Sequence, residues 1–167
     1  LHIEEGRWLR NRKYITDYID FLFSGEVNPR RYSNWLAHAV EAFCVTTGDD
    51  SLCERLLPRL VENYLAWEES NRHESGLFWS NDDRDGGEYS ISGSGLRPTL
   101  NSYLYGDAMA IARIAERSGR SELTAKFRKR ATTLKELVQS KLWDHDRWFF
   151  SGFPLEHRVD SVGTFSF

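Results

Sequence analysis

Four carboxylates stand within seven residues at Asp82, Asp83, Asp85 and Glu88, in the stretch DDRDGGE. Carboxyl groups gathered like this can exchange protons with a substrate, hold a cation, or hydrogen-bond the backbone of a turn. Glycines follow at Gly86, Gly87, Gly93 and Gly95 and admit backbone shapes closed to other residues. Residues 79–96 therefore read as a long loop without a regular pattern, and such a loop inside a compact domain is often functional. The calcium helix-loop-helix signature is not matched, because no glycine at its sixth position is joined by a glutamate at its twelfth. Neither a metal nor a cofactor is expected.

The loop runs into a helix that Pro98 suits as first residue, since its missing N–H costs nothing there. Arg97, Asn101 and Tyr105 are spaced by four and so share a side of that helix with Leu104, Ala108, Ala112 and Ala115. A buried polar group without a partner costs about 1–3 kcal/mol, and a charged one more. Two arrangements satisfy this constraint. The helix start opens onto a wet cavity, where its free N–H groups and dipole favour carboxylates or substrate oxygens. Alternatively the polar residues close an internal network, with Arg97 paired to Asp85 or Glu88.

The elements that must position these groups show an internal echo. TTGDDSL around Gly48 is answered by RSGRSEL around Gly119, 71 residues on, and the same offset carries Leu77-Phe78-Trp79-Ser80 onto Trp148-Phe149-Phe150-Ser151. Each unit reads as helix, glycine turn, helix and aromatic strand-like segment, which points to a repeat. Helices over 51–69 and 122–142 carry one apolar stripe, and residues 8–23 look similar. Those over 34–46 and 98–116 are apolar or small nearly all round, with Ser102, Gly106 and Ala110 allowing another helix close. Buried and one-sided helices in alternation predict an all-α fold: helical hairpins of an (α/α)6 toroid, with inner and outer rings. A four-helix bundle would give every helix a single stripe, and tetratricopeptide or ankyrin arrays repeat at about half this period. Roughly two and a half hairpins fit in the chain, so residues 1–167 are expected to be part of one toroid domain. Further hairpins of a longer chain, or a second copy, would close the ring.

With 167 residues the chain suffices for one cored domain, and a net charge of −3 with no basic patch argues against nucleic acid. No apolar run reaches membrane-spanning length. The two cysteines, Cys44 and Cys53, lack metal spacing and read as buried thiols. Six Trp, seven Tyr and ten Phe are expected mostly in the core, though such rings also form the stacking walls of sugar sites.

Residues 74–115, with Asp85-Gly86-Gly87-Glu88, Ser90-Ile91-Ser92-Gly93, Arg97-Pro98, Asn101-Ser102-Tyr103 and Tyr105-Gly106, resemble the six-hairpin glycosidases. More narrowly they resemble domains related to mannosylglycerate hydrolase, processing α-glucosidase and trehalase. The resemblance implies an (α/α)6 toroid with its pocket at the N-terminal ends of the inner helices, and inverting hydrolysis of a glycosidic bond. It implies Asp85 as general acid, with Asp82 and Asp83 as alternatives. Glu88, Arg97, Asn101 and Tyr105 would bind sugar hydroxyls and Trp79 would stack on a sugar face. Trehalase and processing glucosidase place their acid directly after ESGW, whereas Glu74-Ser75-Gly76 here leads into Leu77-Phe78-Trp79. The acid has either moved to 82–85 or belongs to another branch. A second carboxylate is expected on a late hairpin; Glu156 and Asp160 lie near the end of the chain with nothing to mark them. The chain is therefore expected to hold half of a catalytic pair.

Two rival readings remain. A sugar epimerase or polysaccharide lyase on the same toroid would use histidines, for which His38 and His73 are candidates. A non-catalytic carbohydrate-binding or scaffolding repeat would need no acid pair at all.

Overall fold

The computed structural model describes residues 2–87, 91 and 93–155. Six helices carry the fold: α1 (His2–Gly6), α2 (Lys13–Leu22), α3 (Leu36–Thr47), α4 (Asp50–Asn71), α5 (Pro98–Arg117) and α6 (Ser121–Lys141). Among the described residues five two-residue strands join them, and the fold is mostly helical. Strands β1 (Trp79–Ser80), β2 (Gly95–Leu96) and β5 (Phe153–Pro154) form one antiparallel sheet, with Trp79 opposite Leu96 and Leu96 opposite Phe153. Strands β3 (Trp143–Asp144) and β4 (Phe149–Phe150) form a separate hairpin.

The helix expected from Trp8 begins only at Lys13, because the Asn11 side chain accepts from the Lys13 N–H at 3.1 Å and turns the chain there. Asp49 starts α4 more conventionally, its carboxylate taking the Leu52 N–H at 3.0 Å. The turns α3–α4 and α5–α6 share one backbone solution. Gly48 and Gly119 take φ of 67° and 68°, and the next N–H in each case returns to a carbonyl five residues back, Cys44 and Ala115. That left-handed conformation is one a side chain at these positions would resist.

The two helical hairpins lie side by side. On α3, His38 and Glu41 meet Asp107 and Arg113 of α5, so the two buried helices run parallel. On α4, Tyr64 and Glu68 meet Phe127 and Arg130 of α6, so the two outer helices run parallel as well. The core lies between them. Leu56, Leu57, Leu60, Leu100, Leu104, Ile111, Phe127 and Ala131 are all but sealed from water. Burying each large apolar side chain contributes about 1.5–3 kcal/mol. The small-residue side of α5 departs from expectation: Ser102 is exposed and nothing occupies the space a Cβ on Gly106 would take. Ala110, on the same side two turns along, is sealed, so only the first part of this side is open.

Asn101, sealed in the first turns of α5, acts as a piece of backbone. Its Oδ1 accepts from the Phe78 N–H at 2.8 Å, and its Nδ2 donates to the Phe78 and Arg97 carbonyls at 2.8 Å each. Phe78 in turn packs edge-on against Tyr64, ring centroids 6.3 Å apart. Asn101→Ala would orphan these buried groups, and we expect it to lower unfolding free energy by about 2–5 kcal/mol in urea titrations. A loss below about 0.5 kcal/mol would show that Phe78 is held by something else.

Candidate functional site

The start of α5 organises the loop. Arg97, the residue before the helix, is only 1% exposed, and its guanidinium gathers the loop around itself. Nη1 donates to the Ser80 carbonyl at 3.2 Å, and Nη2 to the Gly93 carbonyl at 2.7 Å and to Asp82 Oδ1 at 2.5 Å. Nε is buried without a partner. A guanidinium taken out of water needs such a shell, because desolvation otherwise exceeds the Coulombic gain. The internal network foreseen for Arg97 exists, with Asp82 in the place expected for Asp85, while Glu88 lies outside the described residues. Of the two arrangements left open by the sequence, Arg97 and Asn101 take up the internal network. Both are sealed beneath the loop with their bonds spent on it, and Tyr105 lies half-buried against the core. Where they stand, they hold the loop.

Asp85 follows a single 3-10 turn, Asp82–Arg84, and is wholly buried. Its Oδ1 accepts from the Gly87 N–H at 2.8 Å and, at short range, from the Thr99 hydroxyl in the first turn of α5. Its Oδ2 is buried with no partner. Tyr103, one turn further along α5, reaches under the same turn: a Cβ on Gly86 would lie 3.6 Å from its hydroxyl. Burial, and then the charge of Asp85, push the Tyr103 hydroxyl up from its ordinary range. Trp35, immediately before α3, meets Tyr103 with ring centroids 4.7 Å apart. Asp85, Tyr103 and Trp35 thus collect where the two buried helices begin.

Trp35 also donates its indole N–H to Glu4 at short range, and His38 Nε2 stands 3.7 Å from Glu4 Oε1. Burial alone would raise the Glu4 carboxyl. The hydrogen bonds from Trp35 and Arg7, with the charges of His38 and Arg7, hold it below the ordinary range instead. Nothing brings His73 to this group. Its Nδ1 lies 3.0 Å from Ser75 Oγ and accepts from the Ser75 N–H, shaping the turn after α4.

Two buried acids escaped the sequence reading. Trp35 offers α3 no capping side chain, and Asp107 supplies the cap from α5, accepting from the backbone N–H groups of His38, at 2.9 Å, and Ala37. Burial, opposed by those two bonds, leaves its carboxyl pushed up to about 8. Glu41, also buried, takes Arg113 Nε at 2.8 Å and Arg117 Nη1 at 3.1 Å. The signal for Asp107 was available: it lies on the stripe of Leu100, Leu104 and Ile111, where an acid must be paired or protonated.

The remaining predicted residues scatter. Trp79 lines a hollow of about 560 Å³ together with Trp67 and Arg84. Asp83 points to solvent, 3.8 Å from Arg84 Nε. Glu88, Glu156 and Asp160 lie outside the described residues. Among the described residues no three His, Cys, Asp or Glu side chains gather as a metal site would require, and no helix is long and apolar enough to cross a membrane.

The mannosylglycerate hydrolase MGH1-like glycoside hydrolase domain matches residues 1–164. A solved structure named as a sialidase superposes with a TM-score of 0.87 at 36% identity over 93% of this chain. The chain spans 15% of that protein's length. No curated protein matches it.

Folded Asp107 holds its proton more tightly than the unfolded chain does. Its contribution to stability is complete below the ordinary carboxylate value of 3.8 and lost as pH rises through about 8. Asp107→Asn cannot titrate, so thermal unfolding from pH 4 to 9 should show the variant gaining on the parent as pH rises. A difference that stays flat across that range would place the Asp107 proton elsewhere.

Proposed function

The chain belongs to the mannosylglycerate hydrolase MGH1-like glycoside hydrolase family, and we propose that it contributes the acid-bearing part of a site that hydrolyses O-glycosyl bonds with inversion. Asp85 carries this reading. Its Oδ1 is fixed by Thr99 and Gly87, while Oδ2 has no partner. Inverting hydrolysis needs one carboxyl to protonate the leaving oxygen and a second, roughly 6.5–9.5 Å away, to activate water. In this reading Oδ2 is the donor, and the loop must uncover it for a glycosidic oxygen to reach it. The Tyr103 hydroxyl and the Trp35 ring border the sugar, and the water-activating carboxylate comes from another part of the protein. The chain by itself is then a weak enzyme.

The parallel buried helices α3 and α5, backed by the parallel outer helices α4 and α6, support a place in an (α/α)6 toroid. On this account the two glycine turns mark consecutive repeats. Further hairpins, from the rest of a longer chain or from a second copy, complete the ring. One observation favours a non-catalytic carbohydrate-binding module instead, namely the complete burial of Asp85.

Asp85→Asn in the full-length protein separates the two readings on a panel of aryl glycosides and oligosaccharides. We expect kcat to fall about 10²- to 10⁴-fold with the fold intact, and NMR of the parent's reaction to show the product's anomeric configuration inverted. Turnover near the parental rate would remove Asp85 as the acid. Sugar binding with no turnover in the parent would make the chain a binding module.

A further inference from the structure

The hollow beside β1 has a composition that the acid site does not use. Its volume of about 560 Å³ is ordinary for a small-molecule site. Three arginines line it: Arg30 and Arg31 from the segment between α2 and α3, and Arg84 from the 3-10 turn next to Asp85. Among the described residues no Asp or Glu lines it. Arg30 donates to the neutral Asn63 amide at 3.2 Å. Arg84 has only the largely exposed Asp83 carboxylate, 3.8 Å away, and a contact that exposed neutralises little.

Two further donors are buried in the same wall without a partner, the Trp67 indole N–H and the Ser80 hydroxyl. Arg31 and Arg84 are exposed and have no buried counter-charge among the described residues, and an incoming oxyanion would accept from their rigid forks. The orphaned donors deepen the deficit of acceptors on this wall. The half-buried Trp79 adds an aromatic ring to the lining, a surface on which the C–H face of a sugar could stack, while Trp67 is nearly sealed.

We propose that this hollow is a subsite for a saccharide bearing an oxyanion, a carboxylate or a sulfate on the ring, held by Arg31 and Arg84 with the sugar against Trp79. The proposal rests on the carbohydrate reading above and adds a charge requirement to it. Arg84 adjoins Asp85 in the chain, so the acidic residue would sit beside the loop that carries the catalytic acid.

Isothermal titration of the full-length protein tests it with four probes: a glucuronate-containing disaccharide, a sulfated disaccharide, their uncharged counterpart, and sodium sulfate. One or both acidic sugars should bind at least about tenfold more tightly than the neutral one and weaken as salt is raised. Whichever binds identifies the oxyanion. The paired substitutions Arg31→Gln and Arg84→Gln should abolish that preference while leaving thermal unfolding and neutral-sugar affinity unchanged. Equal affinity for acidic and neutral sugars overturns the charge requirement and leaves the glycosidase reading standing. Sulfate ion binding as tightly as the sugars makes the hollow a bare anion pocket and overturns the saccharide assignment. A preference that survives both substitutions overturns the location.

Discussion

A guanidinium moved from water into a protein interior must be surrounded by acceptors, and the loop ahead of α5 is folded to supply them. Arg97 binds the Ser80 carbonyl, the Asp82 carboxylate and the Gly93 carbonyl, three points spread along one loop. Asn101, one helical turn further on, fixes Phe78 by both its backbone groups. The loop is thereby pinned at 78, 80, 82 and 93 to the first turns of one buried helix. Between those pins only the segment through Asp85 is left to fold over Thr99 and Tyr103. Where Asp85 sits is thus a consequence of where Arg97 is buried.

The second constraint acts between helices. An acid on α5 caps α3 through Asp107, and a buried acid on α3 holds Arg113 and Arg117 of α5 through Glu41. Each helix thus supplies a polar partner that its neighbour lacks. The resulting register sets Trp35 against Tyr103 and brings the beginnings of both helices under the Asp85 turn. Packing, charge and loop geometry converge on one end of the helix pair. The proposed acid site lies at this end.

Much of this was legible in the residues. Pro98 opens α5 where it should, Gly48 and Gly119 end their helices left-handed, and the nearly all-apolar α3 and α5 are the buried ones. The spacing of Arg97 and Asn101 placed both inside. Spacing alone could not say whether an inward polar group faces water or backbone, because that depends on the return path of a glycine-rich loop, which side-chain periodicity does not encode. Asp107 was missed although it interrupts an apolar stripe, since the helix end that it caps belongs to a different hairpin. The arginine hollow is assembled from three separated segments, and no local pattern in the chain joins them.

The claim on which the rest hangs is that Arg97, buried and paired with the partly exposed Asp82, fixes the loop. A double-mutant cycle with Arg97→Met and Asp82→Asn, followed by urea unfolding, addresses it directly. Asp82→Asn takes the charged partner from a buried guanidinium, and Arg97→Met removes that guanidinium together with its carbonyl contacts, so each single change should destabilise the protein by about 2–3 kcal/mol, and the double change by little more than Arg97→Met alone, a coupling of about 1 kcal/mol or greater. Effects that add to within about 0.5 kcal/mol would mean that the two residues act independently, and the loop would have to be held in some other way.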